Sequence, residues 1–152
     1  CADVTRSWPV SAKFTARQRE VYQAVFDAQE AAFKECKPGG NLMAVHIAAA
    51  SVLNERGLGR AFWHSTSHWI GMATHDVGGS ATFEPGMVFT VEPGVYLPKE
   101  SLGVRIEDVV AITEDGYELL SAGIPRTVEE VEALRAEALA AAPAVREGAP
   151  SQ

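Results

Sequence analysis

Long apolar runs, basic blocks and a cysteine framework are all missing from this sequence. No stretch approaches the roughly 20 apolar residues of a membrane-crossing helix. The opening residues carry no signal-peptide pattern, although the chain starts at Cys1 and not at a methionine, so that any original targeting segment would precede it. Thirteen lysines and arginines stand against twenty aspartates and glutamates, a formal charge of −7, with no cluster of cations able to track a phosphate backbone. These absences argue against nucleic acid and membrane as partners. Cys1 and Cys36 make no disulfide framework, which fits a reducing, cytoplasmic location. No segment repeats within the chain. What remains suffices for a core, since 152 residues, 47% of them hydrophobic, match the size of one domain.

Helical spacing governs the first part of the chain and strand chemistry the part after it. Thr15-Ala16-Arg17-Gln18 is a capping-box start, and Val21, Val25, Ala28 and Ala32 follow at helical spacing. This helix is expected to stop near Lys37-Pro38-Gly39-Gly40. A second is expected from Asn41, with Leu42, Val45, Ala49, Val52 and Leu53 on one face and Gly57 as its stop. Segments rich in Val, Ile, Phe and Thr then alternate with Pro and Gly, predicting strands at Met87–Val91, Val95–Leu97, Val104–Thr113 and Tyr117–Leu120. Thr127-Val128-Glu129-Glu130 opens a last helix running to about Ala140. Helices followed by antiparallel strands give an α+β class. The expected organisation is one domain over residues 1–141 and a small, polar, disordered tail over 142–152.

Four positions could serve metal chemistry: Asp3 in Asp-Val-Thr-Arg, His68 in Ser-His-Trp, Glu92 in Val-Glu-Pro-Gly and Glu107 in Arg-Ile-Glu-Asp. Oxygen ligands plus one imidazole are what two adjacent divalent ions need to activate a water. Each has a plainer reading. Asp3 could be a hairpin aspartate bonded to its own turn. Glu92 could face solvent at an edge, but a buried carboxylate inside Val-Phe-Thr-Val-Glu needs a partner, and a metal is the best one. Glu107 is expected to point away from Ile106, with Arg105 on a different side of the strand. Arg105 would then support the ligands rather than join them, its plainer role being an ordinary surface ion pair. His64, His68 and His75 fall within twelve residues of one another, whereas His46 on the second helix stands outside any motif. Trp69, a large aromatic, is expected to pack under the site as core.

The blocks around these positions are more specific than the positions themselves. His64-Ser65-Thr66-Ser67-His68-Trp69-Ile70-Gly71 continues through Thr74-His75-Asp76-Val77-Gly78-Gly79. Glu84-Pro85-Gly86-Met87-Val88-Phe89-Thr90-Val91-Glu92-Pro93-Gly94-Val95-Tyr96 follows, and Gly103-Val104-Arg105-Ile106-Glu107-Asp108 closes the series. In this order they resemble the pita-bread metallopeptidases, in the branch of Xaa-Pro aminopeptidases and prolidases, over Asp3 to about Leu134. The resemblance implies a curved antiparallel sheet with covering helices, incomplete at the N-terminus. It also implies a further metal-binding aspartate on a strand before residue 1, with Asp3 to Val10 inside a hairpin.

By the same resemblance, Asp3, His68, Glu92 and Glu107 are metal ligands, with Asp3 and Glu107 bridging. His75 assists by hydrogen-bonding substrate or a developing oxyanion, His64 lines the substrate pocket, and Glu92 and Arg105 join the catalytic set. Two ions are implied, manganese or cobalt first and zinc admissible, because oxygen-rich ligation with one imidazole suits them. The implied reaction is hydrolysis of the peptide bond preceding proline by a hydroxide shared between the two metals, with Glu92 carrying its proton to the leaving imino nitrogen. The implied partners are a proline-containing peptide and the missing N-terminal segment, with homodimerisation left open. Thr-Ser-His-Trp and His-Asp-Val-Gly, and the short link from Tyr96 to Gly103, lean towards compact aminopeptidase-like members, without settling dipeptidase against aminopeptidase. Ser65 and Thr74 depart from the usual glycine and aliphatic residue, and neither is a ligand. The alternative is a catalytically silent pita-bread domain that binds peptides or proteins, or an inactive fragment of the enzyme. Retention of all four ligand positions speaks against silence, while a lacking carboxylate predicts weak or no activity for this chain alone.

Overall fold

The computed structural model describes residues 1–141; the tail expected to be disordered lies outside the described residues. Helix α1 (Ala16–Phe33) opens on the expected capping box, Thr15 accepting from the Gln18 amide and Gln18 answering to the Thr15 N–H. It buries Val21, Val25, Ala28 and Ala32 as the spacing requires, and also Tyr22, Gln29 and Phe33. The helix ends at Phe33, short of the expected Lys37, in tight turns in which the Cys36 and Gly40 amides bond Phe33 and Lys37 carbonyls. Helix α2 (Leu42–Glu55) is capped by the Asn41 side chain and packs Val45, Ala49 and Leu53 against α1. Gly57, at φ +70°, supplies the left-handed residue that ends it.

Five short strands follow: β1 (Val88–Val91), β2 (Gly94–Leu97), β3 (Leu102–Arg105), β4 (Asp108–Ile112) and β5 (Tyr117–Leu119). β1, β4 and β5 form one antiparallel ladder in the order β1-β4-β5, and β2 pairs with β3 in another. The class is α+β, as expected. The single strand expected over Val104–Thr113 is divided at Ile106-Glu107, and β1 is separated from β2 at Glu92-Pro93. The register is nevertheless the same on both sides, Val91 facing Asp108 and Gly94 facing Arg105. Uninterrupted pairing would therefore set Glu92 opposite Glu107 and Pro93 opposite Ile106. Pro93 has no N–H to give, so only the Ile106 amide crosses there, to the Pro93 carbonyl at 3.4 Å. Glu92 and Glu107 turn their backbone groups outward as alternation requires, the Glu92 amide to Thr66 and Glu107 to Thr5. The missing donor at Pro93 opens a gap in an otherwise continuous hairpin.

Residues 3–10, expected inside a hairpin, make a single bridge, Thr5 with Glu107. At the next rung the Ser7 hydroxyl, in place of its backbone, meets both the N–H and the C=O of Arg105, at 3.1 and 3.0 Å. Phe89 and Phe83 stack with centroids 4.4 Å apart and Trp69, partly buried, meets both edge-on and packs against the core beneath the strands. Helix α3 (Val128–Ala141) starts on a capping box between Thr127 and Glu130 and lays Val128 and Val131 on the core. Among the described residues no helix is long and apolar enough to cross a membrane.

Because Thr15 satisfies an amide that α1 would otherwise leave open, Thr15→Ala is expected to cost about 1 kcal/mol. Urea unfolding should report this as a lower midpoint with unchanged slope.

Candidate metal centre

The gap in the hairpin is where the acidic residues meet. Glu92 follows β1 and Glu107 precedes β4, and each turns its backbone away from the other, the Glu92 amide to Thr66 and Glu107 to Thr5. Residues 66–70 run beside β1: the Glu92 amide donates to the Thr66 carbonyl at 2.7 Å and the Thr90 amide to the His68 carbonyl at 3.0 Å, while Trp69 bridges Phe89. The His68 amide in turn donates to the Thr90 hydroxyl at 3.1 Å. His68 is thereby fixed alongside Glu92. Asp3 is brought in by the Thr5–Glu107 bridge two residues further on.

The His68 Nε2 atom lies 3.2 Å from Glu92, 3.4 Å from Asp3 and 4.0 Å from Glu107 carboxylate oxygens. Its Nδ1 is 3.0 Å from the Trp69 carbonyl. A carbonyl can only accept, so Nδ1 carries the proton, and in the neutral ring Nε2 presents a lone pair. That lone pair is buried and has no hydrogen-bond partner among the described residues. Lone pair and carboxylate oxygens repel one another unless a cation lies between them. Burial raises the Glu92 pKa, Glu107 raises it further, and His68, His64 and the Thr90 hydroxyl oppose the rise. His68, Glu92 and Glu107 offer ligand atoms within 4.8 Å of one another, and so do Asp3, His68 and His75. The donor set therefore fits a hard or borderline divalent ion.

The neighbours of these side chains hold them in place. Thr5 donates its hydroxyl to Glu107 Oε2, and Arg105 Nε donates to the same hydroxyl at 3.1 Å. Arg105 Nε also lies 3.9 Å from Glu107 Oε2. Arg105 and Glu107 thus share a side, correcting the expectation that they part. They are two residues apart, and the period of an extended chain is two. Thr90 donates to Glu92 Oε1 at 3.3 Å. Neither Thr5 nor Thr90 was singled out by the sequence, although a threonine two residues from an acid on the same extended face is a usable signal.

The other histidines take separate places. The His75 ring meets the His68 ring edge-on at 4.2 Å and is exposed. Its loop is shaped by Asp76, which accepts from the Val77 and Ala73 amides, and these bonds lower the Asp76 pKa. His64 Nε2 lies 2.9 Å from the Tyr96 hydroxyl, and Trp63 stacks on the Tyr96 ring at 5.4 Å. Gly94 leaves room for that pair: a Cβ there would meet the Tyr96 hydroxyl at 2.8 Å and His64 Nε2 at 2.9 Å. His46, outside every motif, bonds the Thr66 hydroxyl at 2.9 Å and stacks on Phe62. Burial and the neighbouring His64 lower its pKa. His46, Trp63, His64, His68 and Trp69 all border one open cleft of about 1070 Å³.

Residues 1–114 match the model of metallopeptidase family M24. The chain is 43% identical to Xaa-Pro aminopeptidase 2 of Streptomyces coelicolor, over 87% of this chain and 35% of that protein. The structure of Pseudomonas aeruginosa aminopeptidase PepP superposes with a TM-score of 0.83 at 34% identity, covering 91% of this chain and 39% of that one. A zinc-substituted Escherichia coli aminopeptidase P in complex with product does so with a TM-score of 0.80 at 36% identity, covering 90% and 38%. The chain thus spans little more than a third of the length of these proteins, and with them it shares the pita-bread fold. A buried imidazole lone pair facing carboxylates is what a divalent-metal peptidase requires, and with the family model spanning three quarters of its length this chain belongs to metallopeptidase family M24.

Proposed function

We propose that this chain carries the metal-binding part of an Xaa-Pro aminopeptidase, with Asp3, His68, Glu92 and Glu107 as ligands. The observation that carries the reading is the orphaned, buried Nε2 of His68 among three carboxylates. Divalent ions bound there, manganese or cobalt by the oxygen-rich donor set and zinc admissible, would supply Lewis acidity and a water of lowered pKa. The chain's own residues do the rest. Glu92, half enclosed and with its pKa raised by burial, is placed to take the proton of the attacking water and return it to the leaving imino nitrogen. His75, exposed beside His68, is free to donate to the scissile carbonyl oxygen as charge develops. Arg105 and Thr5 keep the Glu107 carboxylate oriented.

His64 and Tyr96 form a polar pair with Trp63 stacked on it, a flat aromatic wall suited to the ring of a proline residue. The substrate class is therefore a peptide with proline after the scissile bond. Both cysteines are free, which agrees with a reducing cytoplasm.

The test is calorimetric titration of the chain with Mn²⁺, followed by long incubation with Xaa-Pro-Xaa and Xaa-Ala-Xaa peptides read by mass spectrometry. His68→Ala should weaken Mn²⁺ binding by more than about 100-fold. Release of the first residue is expected from the proline peptide alone, slow for this chain by itself, and Glu92→Gln should reduce it by at least about 100-fold. Equal Mn²⁺ binding in His68→Ala would sink the ligand assignment, and tight peptide binding with no cleavage would favour a silent binding domain. Gly94→Ala should leave Mn²⁺ affinity unchanged while weakening proline-peptide binding several-fold, since its Cβ displaces the His64–Tyr96 pair; unchanged peptide affinity would remove that pair from the substrate wall.

A further inference from the structure

A buried glutamine on α1 sits directly behind the gap that carries the two glutamates. Gln29 has no exposed surface, and its single side-chain nitrogen faces three acceptors. Nε2 lies 3.0 Å from the Val91 carbonyl, 3.2 Å from the Ile106 carbonyl and 2.9 Å from Asp108 Oδ2. Val91 immediately precedes Glu92, Ile106 immediately precedes Glu107, and Asp108 immediately follows it. One amide thus touches the backbone of both acidic joints.

The need for it follows from the break in pairing. Ile106 faces Pro93, which has no N–H to give, so the buried Ile106 carbonyl lacks the donor that strand pairing would supply, and a buried carbonyl without a donor is costly. The Gln29 amide faces it and the Val91 carbonyl at once, and so ties the two edges of the gap. The surroundings then hold the amide. Arg126 Nη1 donates to Gln29 Oε1 at 3.1 Å, which fixes which end of the amide faces the carbonyls. Asp108 is held by Arg6 at 2.6 Å and by the Ser121 hydroxyl. Arg6 also donates to the Glu107 carbonyl at 2.7 Å and the Thr5 carbonyl at 2.9 Å, extending the tie to the segment that carries Asp3.

We infer that Gln29 is a positioning residue for the metal centre, an amide clamp that sets the spacing of Glu92 and Glu107 by holding the Val91 and Ile106 carbonyls. The inference rests on those glutamates being ligands. It separates Gln29 from the remainder of the buried α1 face: Val25, equally buried, packs on the core without bonding either joint. Gln29 touches no metal and no substrate, so its removal should be felt in metal affinity beyond any loss of stability.

The experiment compares Mn²⁺ dissociation constants, by calorimetry on folded protein, with thermal unfolding in a chelator, for the unmodified chain, Gln29→Met, Val25→Ala and His68→Ala. Gln29→Met keeps the length of the side chain and removes the donors. It should weaken Mn²⁺ binding by about 10-fold or more, the scale of groups that orient ligands without touching the metal. Val25→Ala should lower the unfolding temperature in chelator while leaving the dissociation constant within about twofold. Should Gln29→Met not fold, Arg126→Met frees the amide to turn over from a partly exposed position and should weaken Mn²⁺ several-fold. Unchanged affinity in Gln29→Met, or in Arg126→Met where the first does not fold, overturns the clamp while the His68→Ala loss leaves the ligand set standing. Equal affinity in His68→Ala overturns the ligand set, and the clamp with it.

Discussion

Like charges gathered around a lone pair constrain everything else in this molecule. In continuous antiparallel pairing Glu92 and Glu107 would lie directly opposite one another on one face, an arrangement that destabilises a sheet. Asp3 adds a third carboxylate and His68 contributes Nε2 as an acceptor, its Nδ1 being committed to the Trp69 carbonyl. Among the described residues no lysine or arginine enters the middle of the group; Arg105 reaches it from the side, through Thr5 and at 3.9 Å from Glu107. Such a set suits a cation at its centre, because burial without one raises the cost of every charge.

The scaffold meets that constraint by interrupting its own hydrogen bonding. β1-β2 and β3-β4 keep one register through the break, so the four strands still behave as a long hairpin with a two-residue gap in each arm. The opening follows from Pro93, which lacks a donor, while the Ile106 amide still reaches the Pro93 carbonyl at 3.4 Å and Glu107 bonds Thr5 on the far side. The backbone groups released by the gap are taken up by Thr66, Thr5, Arg6 and Gln29, drawn from separate parts of the chain. The acids are thereby free of pairing yet rigidly attached at both ends.

Much of the fold was legible because its signals are local. Capping boxes at Thr15 and Thr127 and an N-cap at Asn41 depend on residues three apart, and all three helices start where these place them. The acidic positions and His68 were legible through their blocks, and the structure brings them within reach of one another. What escaped depends on contacts distant in sequence. The division of Val104–Thr113 cannot be read from its own residues, because the missing donor is that of Pro93 on the facing arm, and the partner of Glu107 is Thr5, about a hundred positions earlier. His46 stood outside any motif, and only the packing places it on the cleft, bonded to Thr66; Tyr96 closed a block without a role, and its bond to His64 is likewise legible only in the fold. Gln29 fell between apolar positions of α1 and broke no periodicity.

A glutamine buried at the helix face that meets both joints is also the point at which stability and function become hard to separate. If the gap existed only to satisfy folding, its carbonyls could be paired by closing the ladder, with an ordinary residue in place of Pro93 and no acid opposite another. That solution would be cheaper in hydrogen bonds and in charge, and would leave Gln29 nothing to hold. The chain instead keeps proline at the gap, acids on either side of it and an amide behind it. Strand pairing is broken here, and the groups that repair the break are the same ones that fix the acids. A sheet departs from its own regularity where the chemistry needs what regularity would forbid.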